Sequence, residues 1–129
     1  MSNQVKLSSE TEEQIIVVNY CDMMGIPVVH IPNEGKRSPI YAGILRKMGL
    51  RKGFPDLIVF RARGGYHGLA IEMKYDDGTV KPEQKQWLKT LSKEGYACAV
   101  CWSADEAIKI IERYNACTPT PTGIEKPDA

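Results

Sequence analysis

The spacing of apolar residues changes several times along the chain, and each change marks an element. From Ser9 to Met24 the spacing is helical, with a stripe of Val17, Tyr20 and Met24 and a stop at Gly25. Ser9-Glu10-Thr11-Glu12 fits a capping box that opens this helix, Ser9 capping and Glu12 reaching back. Ile26 to Ile31 predicts a first strand, whose Pro27 restricts that end to a sheet edge or a strand start. Ile40, Ile44 and Met48 recur at helical spacing before Gly49 and predict a short helix, with Tyr41 and Leu45 on a second face beside the first. Two apolar runs, Leu57–Phe60 and Leu69–Met73, flank Gly64-Gly65 and predict a hairpin of central strands. Pro82 suits the first position of a helix that Gly95 ends. Tyr96 to Trp102 predicts another strand, and Ser103-Ala104-Asp105-Glu106 a second capping box, opening a helix to Tyr114 with Ala107, Ile108 and Ile111 inward. Helix, strand, loop and short helix, hairpin, helix, strand, helix describes an α/β domain with a mixed sheet flanked by helices.

Centred on Gly64, the hairpin pairs positions that sum to 128, which sets Asp56 opposite Glu72 at its open end. Side chains alternate along a strand, so Ala70, Glu72 and Lys74 share one face, and the last two project together roughly 6.5–7 Å apart. Two facing acids repel unless a positive charge lies between them, and a divalent cation held by carboxylate oxygens is one remedy. The other reading is a solvated hairpin end with a Glu72–Lys74 ion pair. The apolar surroundings weigh against it, because stray acids in central strands are costly.

On the first helix, Glu10 and Glu13 lie about 20° and 40° from the direction of Val17, and Glu12 about 140° away. Glu12 therefore belongs to capping and solvent, whereas Glu10 and Glu13 lean toward whatever the stripe packs on. Gln84 shares a helix face with Trp87 and Leu88, and a polar residue on a packed face needs a partner. His30, between Val29 and Ile31, reads as a half-buried strand histidine, with a phosphate contact as the alternative.

At 129 residues and 43% hydrophobic, the chain suits one domain with its own core, residues 9–114, between a flexible start (1–8) and a Pro- and Thr-rich tail (115–129). The net charge of +1 hides an uneven distribution. Residues 33–52 hold Lys36, Arg37, Arg46, Lys47, Arg51 and Lys52 against Glu34 alone, an excess that a polyanion would feel. Four irregularly spaced cysteines with no apolar leader before them point to a reducing cytoplasm rather than a disulfide framework. Cys98-Ala99-Val100-Cys101 lies in an apolar run and lacks a second ligand pair, so zinc is not expected. No stretch reaches the length of a transmembrane helix, and no membrane association is expected.

Gly53-Phe54-Pro55-Asp56, followed by Glu72-Met73-Lys74, resembles the PD-(D/E)xK nuclease core. More narrowly, it resembles the virus-type replication-repair nuclease (VRR-NUC) domains, with their G-(V/F/I)-P-D turn, E-(V/I/M)-K strand and later helical Gln. The likeness covers residues 9 to 102. It implies a restriction-endonuclease-like fold and hydrolysis of DNA phosphodiesters. Asp56, Glu72 and the Met73 carbonyl would hold Mg²⁺ or Mn²⁺, and Lys74 and Gln84 would assist. Such domains carry a helix Glu four residues before a Gln, which Glu10 and Gln14 match, so Glu10 is the first choice as third acid and Glu13 the reserve. The same two motifs resemble the archaeal Holliday junction resolvases. That likeness implies branched or duplex DNA as substrate and a homodimer, which the second apolar face of the Ile40–Met48 helix could serve. A flap or nicking nuclease and a non-catalytic DNA-binding module are the alternatives. The retained Asp56, Glu72 and Lys74 argue against the second, since a pure binder gains affinity by discarding acids near phosphate.

Overall fold

The computed structural model describes residues 8–32 and 38–121. In chain order the elements are α1 (Ser9–Met23), β1 (Val28–His30), α2 (Pro39–Lys47), β2 (Leu57–Val59), β3 (Leu69–Met73), α3 (Pro82–Lys93), β4 (Ala97–Cys101) and α4 (Ala104–Asn115). They form the expected α/β architecture, one mixed four-stranded sheet in the order β1-β2-β3-β4. β1, β2 and β3 pair antiparallel, and β4 joins β3 parallel. A parallel partner needs a crossover, which α3 supplies.

β2 and β3 occupy the middle of the sheet and are buried along their whole length. Their register pairs Leu57 with Ile71 and Val59 with Leu69, as the hairpin predicts. The reversal itself is a two-residue turn, Gly64 and Gly65 at φ 59° and 87°, closed by a bond from the Tyr66 amide to the Arg63 carbonyl. Two successive positive φ angles are what such a turn requires, and glycine adopts them without steric cost. Pairing at the tip, Arg63 with Tyr66, is offset by one residue from pairing in the strands. One additional residue on the outgoing arm, between Val59 and Arg63, absorbs the offset in the manner of a bulge. Phe60 leaves the sheet there and is exposed, although its run predicts strand.

Alternation divides the sheet into two faces. Leu57, Val59, Leu69, Ile71 and Met73 point into the main core with Val17 and Cys21 of α1 and Ala107, Ile111 and Tyr114 of α4. Ala70 and Glu72 point to the other face, where α3 lies and Gln84 reaches Glu72. Glu72 thus lies on the α3 side, away from the apolar core.

Several local expectations change. Ser8, not Ser9, caps α1, its hydroxyl accepting from the Thr11 amide at 3.1 Å. The inward face of α1 is Val17 and Cys21, whereas Met24 is 55% exposed, because it caps the helix just before the chain reverses at Gly25. On α2 no residue is fully buried. The stripe of Ile40, Ile44 and Met48 faces solvent with Tyr41, and Leu45, read as a second outer face, is the half-buried one. Beyond α4, where the sequence suggests a tail, the chain returns to the hairpin. The Gly64 amide donates to the Thr118 carbonyl at 2.7 Å, and the Gly65 amide to the Thr120 hydroxyl at 2.9 Å. Of the basic residues, Lys36 and Arg37 lie outside the described residues.

The turn before Asp56 depends on Gly53. Its φ is 85°, and a Cβ there would meet Glu83 Cβ at 2.7 Å and the Glu83 carbonyl carbon at 2.8 Å, at the start of α3. A Gly53→Ala variant should therefore lose roughly 1–3 kcal/mol of stability through strain and forced separation of the turn from α3. Urea unfolding measures the loss, and an unchanged midpoint would contradict this packing.

Candidate active site

Asp56 closes the Gly53 turn and sits beside the end of β3. One carboxylate oxygen, Oδ2, accepts the Met73 amide at 2.8 Å, so the side chain is tied across the hairpin. The carbonyl of Asp56 is equally engaged, accepting the Ile31 amide at 2.9 Å and lying 2.8 Å from His30 Nδ1. A carbonyl only accepts, so His30 carries its proton on Nδ1 in this contact. His30 is exposed rather than half-buried, because it projects from the edge strand β1.

Glu72 is 3% exposed, which excludes the solvated hairpin end. Its Oε1 accepts Gln84 Nε2 at 2.9 Å and lies 3.9 Å from Lys74 Nζ. Gln84, itself buried, uses its own Oε1 for two donors, Lys74 Nζ at 2.7 Å and the Lys81 amide at 2.9 Å. An ammonium and an amide nitrogen can only donate, and a carboxylate can only accept, so the orientation of the Gln84 amide is forced. Gln84 is the joint that α3 contributes: it links Glu72 to Lys74 and also accepts the backbone amide of Lys81, the cap of its own helix. The polar residue on a packed face has found its partners.

Glu10, from the first turn of α1, lines the same cleft as Asp56, Glu72, Met73, Lys74, Tyr75, Gly78, Lys81 and Gln84, about 200 Å³ in volume. An adjoining cleft shares Glu10 and Asp56 and adds Gln14 and His30. Glu13 points elsewhere. Its Oε2 accepts the Ala104 amide, the first of α4, at 2.6 Å, which joins α1 to α4 and complements the positive end of that helix. Of the two acids that the helix periodicity left open, the structure brings Glu10 to the cleft and gives Glu13 to packing.

Tyr75, Gly78 and Lys81 are lining residues that sequence reasoning missed, and Tyr75 is the one of chemical interest. Its ring packs on the core and it lines the cleft, and burial together with the Glu10 and Asp56 charges pushes the phenol up from its ordinary range, so it stays protonated. Alternation would place Tyr75 opposite Lys74, but β3 ends at Met73 and the rule ends with it. The turn that follows, expected from Tyr75-Asp76-Asp77-Gly78, is closed by the Gly78 amide on the Tyr75 carbonyl at 2.9 Å.

The donor set suits a hard divalent cation. Three carboxylates line the cleft, and neither thiol nor imidazole does. Among the described residues, however, no three of His, Cys, Asp and Glu stand close enough to hold an ion as they are placed. Asp56 and Glu72 are pinned by their hydrogen bonds, so Glu10 is the carboxylate with room to move. Cys98 and Cys101 form no alternative centre. Three positions apart on β4 they face opposite sides of the sheet, and burial pushes the Cys101 thiol up to about 12.

Outside the cleft, Arg46, Lys47, Arg51 and Lys52 are exposed on α2 and the loop after it. Arg51 donates to the Arg46 carbonyl at 2.9 Å, and Lys52 pairs with Glu83 at 3.2 Å.

Residues 7–105 match the VRR-NUC domain family. The chain belongs to that family. A solved structure of a VRR_NUC domain protein is similar as well, with 31% sequence identity and a TM-score of 0.76 over 95% of this chain and 100% of that one. No curated protein matches. Membership makes the chain a nuclease of the PD-(D/E)xK type, and the Asp56, Glu72 and Lys74 of that pattern are the residues gathered in the cleft.

The separate positions of the two α1 acids give a test. Glu13→Gln should lower thermal stability by roughly 1–2 kcal/mol, as loss of a helix-capping acceptor does, and leave nuclease activity intact. Glu10→Gln should leave stability unchanged and reduce cleavage. The opposite pairing of effects would exchange their roles.

Proposed function

We propose that this VRR-NUC domain is a metal-dependent endodeoxyribonuclease selective for branched DNA, in the manner of a junction resolvase. The observation that carries the reading is the buried link from Glu72 through Gln84 to Lys74, placed beside Asp56 and open to a polar cleft. A salt bridge alone would not need it, whereas a site that must hold an acid and a base at fixed separation does. Asp56, Glu72, Glu10 and the Met73 carbonyl are the groups that would hold Mg²⁺ or Mn²⁺. When bound, the ion lowers the pKa of a coordinated water and offsets charge on the phosphate.

The protein's own groups do the rest. Lys74, kept in place by Gln84, lies where it can orient the attacking water or meet negative charge developing on the phosphate. Gln84 acts through Glu72 and Lys74 rather than on the substrate. His30 borders the adjoining cleft, within reach of a phosphate that follows the strand edge. Arg46, Lys47, Arg51 and Lys52, with Lys36 and Arg37 earlier in the sequence, supply phosphate contacts that position the duplex without reading its sequence. Their engagement in Arg51–Arg46 and Lys52–Glu83 contacts is weak enough, at exposed sites, to be exchanged for phosphate. All four cysteines are free thiols, in keeping with a reducing cytoplasm, and among the described residues no helix is long and apolar enough to cross a membrane.

The test of the reaction is supercoiled plasmid incubated with Mg²⁺, with Mn²⁺ and with chelator. Cleavage should require the metal and vanish in Asp56→Asn and in Glu72→Gln while both variants remain folded. Cleavage retained by either variant would overturn the site, and none by the wild type under any condition would leave a DNA-binding module.

Paired cuts in a junction require a second copy related by a two-fold axis. Ile40, Tyr41, Ile44 and Met48 of α2 and its cap are exposed by 80%, 52%, 48% and 77%, an apolar face without a cover among the described residues. We assign it to a homodimer contact. Ile44→Glu should convert a dimer to a monomer by light scattering and reduce cleavage of a four-way junction more than nicking of plasmid. A wild-type monomer with full junction activity would leave the flap or nicking alternative.

A further inference from the structure

The cleft holds one hydrogen-bond donor with nothing to donate to. The Tyr75 hydroxyl is buried and has no hydrogen-bond partner among the described residues. This is not how a structural tyrosine is treated elsewhere in the chain. The Tyr114 hydroxyl, also against the core, donates to the Arg61 carbonyl at 2.6 Å and accepts the Arg63 amide at 3.3 Å. A buried polar group left over in this way is accounted for by strain, a catalytic role, or a bound water or ion.

Glu10 is the acid whose charge bears most on the phenol, ahead of Asp56 and Glu13. Of the acids grouped near the cleft, Asp56 takes the Met73 amide on Oδ2, Glu72 takes Gln84 and Lys74 on Oε1, and Glu13 takes the Ala104 amide. Glu10 lines the cleft with Tyr75 and has no hydrogen bond or ion pair among the described residues. Two unengaged groups of complementary chemistry, a neutral donor and a carboxylate, thus share one small space. Tyr75 is also the more firmly seated of the two. Its ring packs on the core, and the turn that follows it is held by the Gly78 amide, by Trp102 Nε1 on the Gly78 carbonyl at 3.4 Å, and by Asp76 in the left-handed region at φ 51°.

We propose that Tyr75 is a positioning residue for the third acid: its hydroxyl donates to the Glu10 carboxylate and holds it toward Asp56 and Glu72 when a divalent cation enters the cleft. The assignment rests on the metal-dependent reading above. It accounts for an acid triad that lines one cleft yet stands too far apart to ligate an ion, because Glu10 is the mobile member and Tyr75 the anchor that its inward position meets. Hydrogen bonds to ligating carboxylates orient them in this way at metal sites generally.

The decisive experiment compares Tyr75→Phe, Glu10→Gln and the double variant by calorimetric titration with Mn²⁺ alone, without DNA, and by melting without metal. Phenylalanine keeps the ring and removes only the idle donor, so the metal-free Tyr75→Phe protein should melt at the wild-type temperature or above. Its Mn²⁺ affinity should fall roughly 10-fold. The double variant should bind Mn²⁺ no more weakly than Glu10→Gln, since Tyr75 acts through that carboxylate. In steady-state cleavage Tyr75→Phe should lower kcat and leave KM for DNA unchanged. A metal-free protein that melts lower with wild-type Mn²⁺ affinity would make the hydroxyl structural and overturn the proposal, as would losses that add in the double variant. Those two results would leave the metal-dependent reading standing. Failure of the wild type to bind Mn²⁺ would overturn the metal site and the role of Tyr75 with it.

Discussion

A carboxylate in the middle of a sheet must be held by something, and the way Glu72 is held determines the layout around it. Leaving it unpaired would cost several kcal/mol, and a direct ion pair alone would not satisfy it, since Lys74 stands 3.9 Å away. Gln84 resolves this from the opposite layer, donating to the acid and accepting from the lysine. The bond can exist only if α3 crosses the sheet on the Ala70–Glu72 face with its first turn at the end of β3. The parallel pairing of β3 and β4 sets that crossing, and Gly53 lets the Asp56 turn approach the start of α3 closely.

The two faces of the sheet consequently carry different tasks. One is apolar and packed by α1 and α4, where Val17, Ile71 and Ile111 supply the burial that stabilises the fold. The other carries the acid, the lysine and the glutamine. α1 serves both, because its buried face lies along Val17 and Cys21 while its first turn overhangs the end of the sheet. The Glu13 bond to the start of α4 joins the two helices on the core side, while Glu10, one turn earlier, lines the cleft.

α2 belongs to neither layer. It buries none of its residues fully and presents isoleucines, a tyrosine and a methionine to solvent beside four cations. Apolar surface next to positive charge, on the segment leading into the Asp56 turn, is the surface to which the proposed contacts with a second copy and with DNA were assigned.

Much of this was legible in the chain. The Gly-Gly reversal and the two apolar runs set the pairing of Leu57 with Ile71, hence Asp56 against Glu72, because strand alternation has a period of two and a burial mismatch would follow from any slip. The helix limits at Pro82, Gly95 and Ser103 were equally local, being matters of φ and capping. The tertiary structure decided whatever depended on direction in space. Helical periodicity placed Glu10 and Glu13 only about 60° apart, on either side of Val17, and only the position of α4 separated their roles. The apolar stripe of α2 could not report that no layer covers it among the described residues. Tyr75 lay two residues beyond the end of the strand, where alternation no longer says which way a side chain points, and it lines the cleft together with the acids. Sequence encodes the period of each element; which faces meet is settled only when the elements pack, because packing acts between residues far apart in the chain.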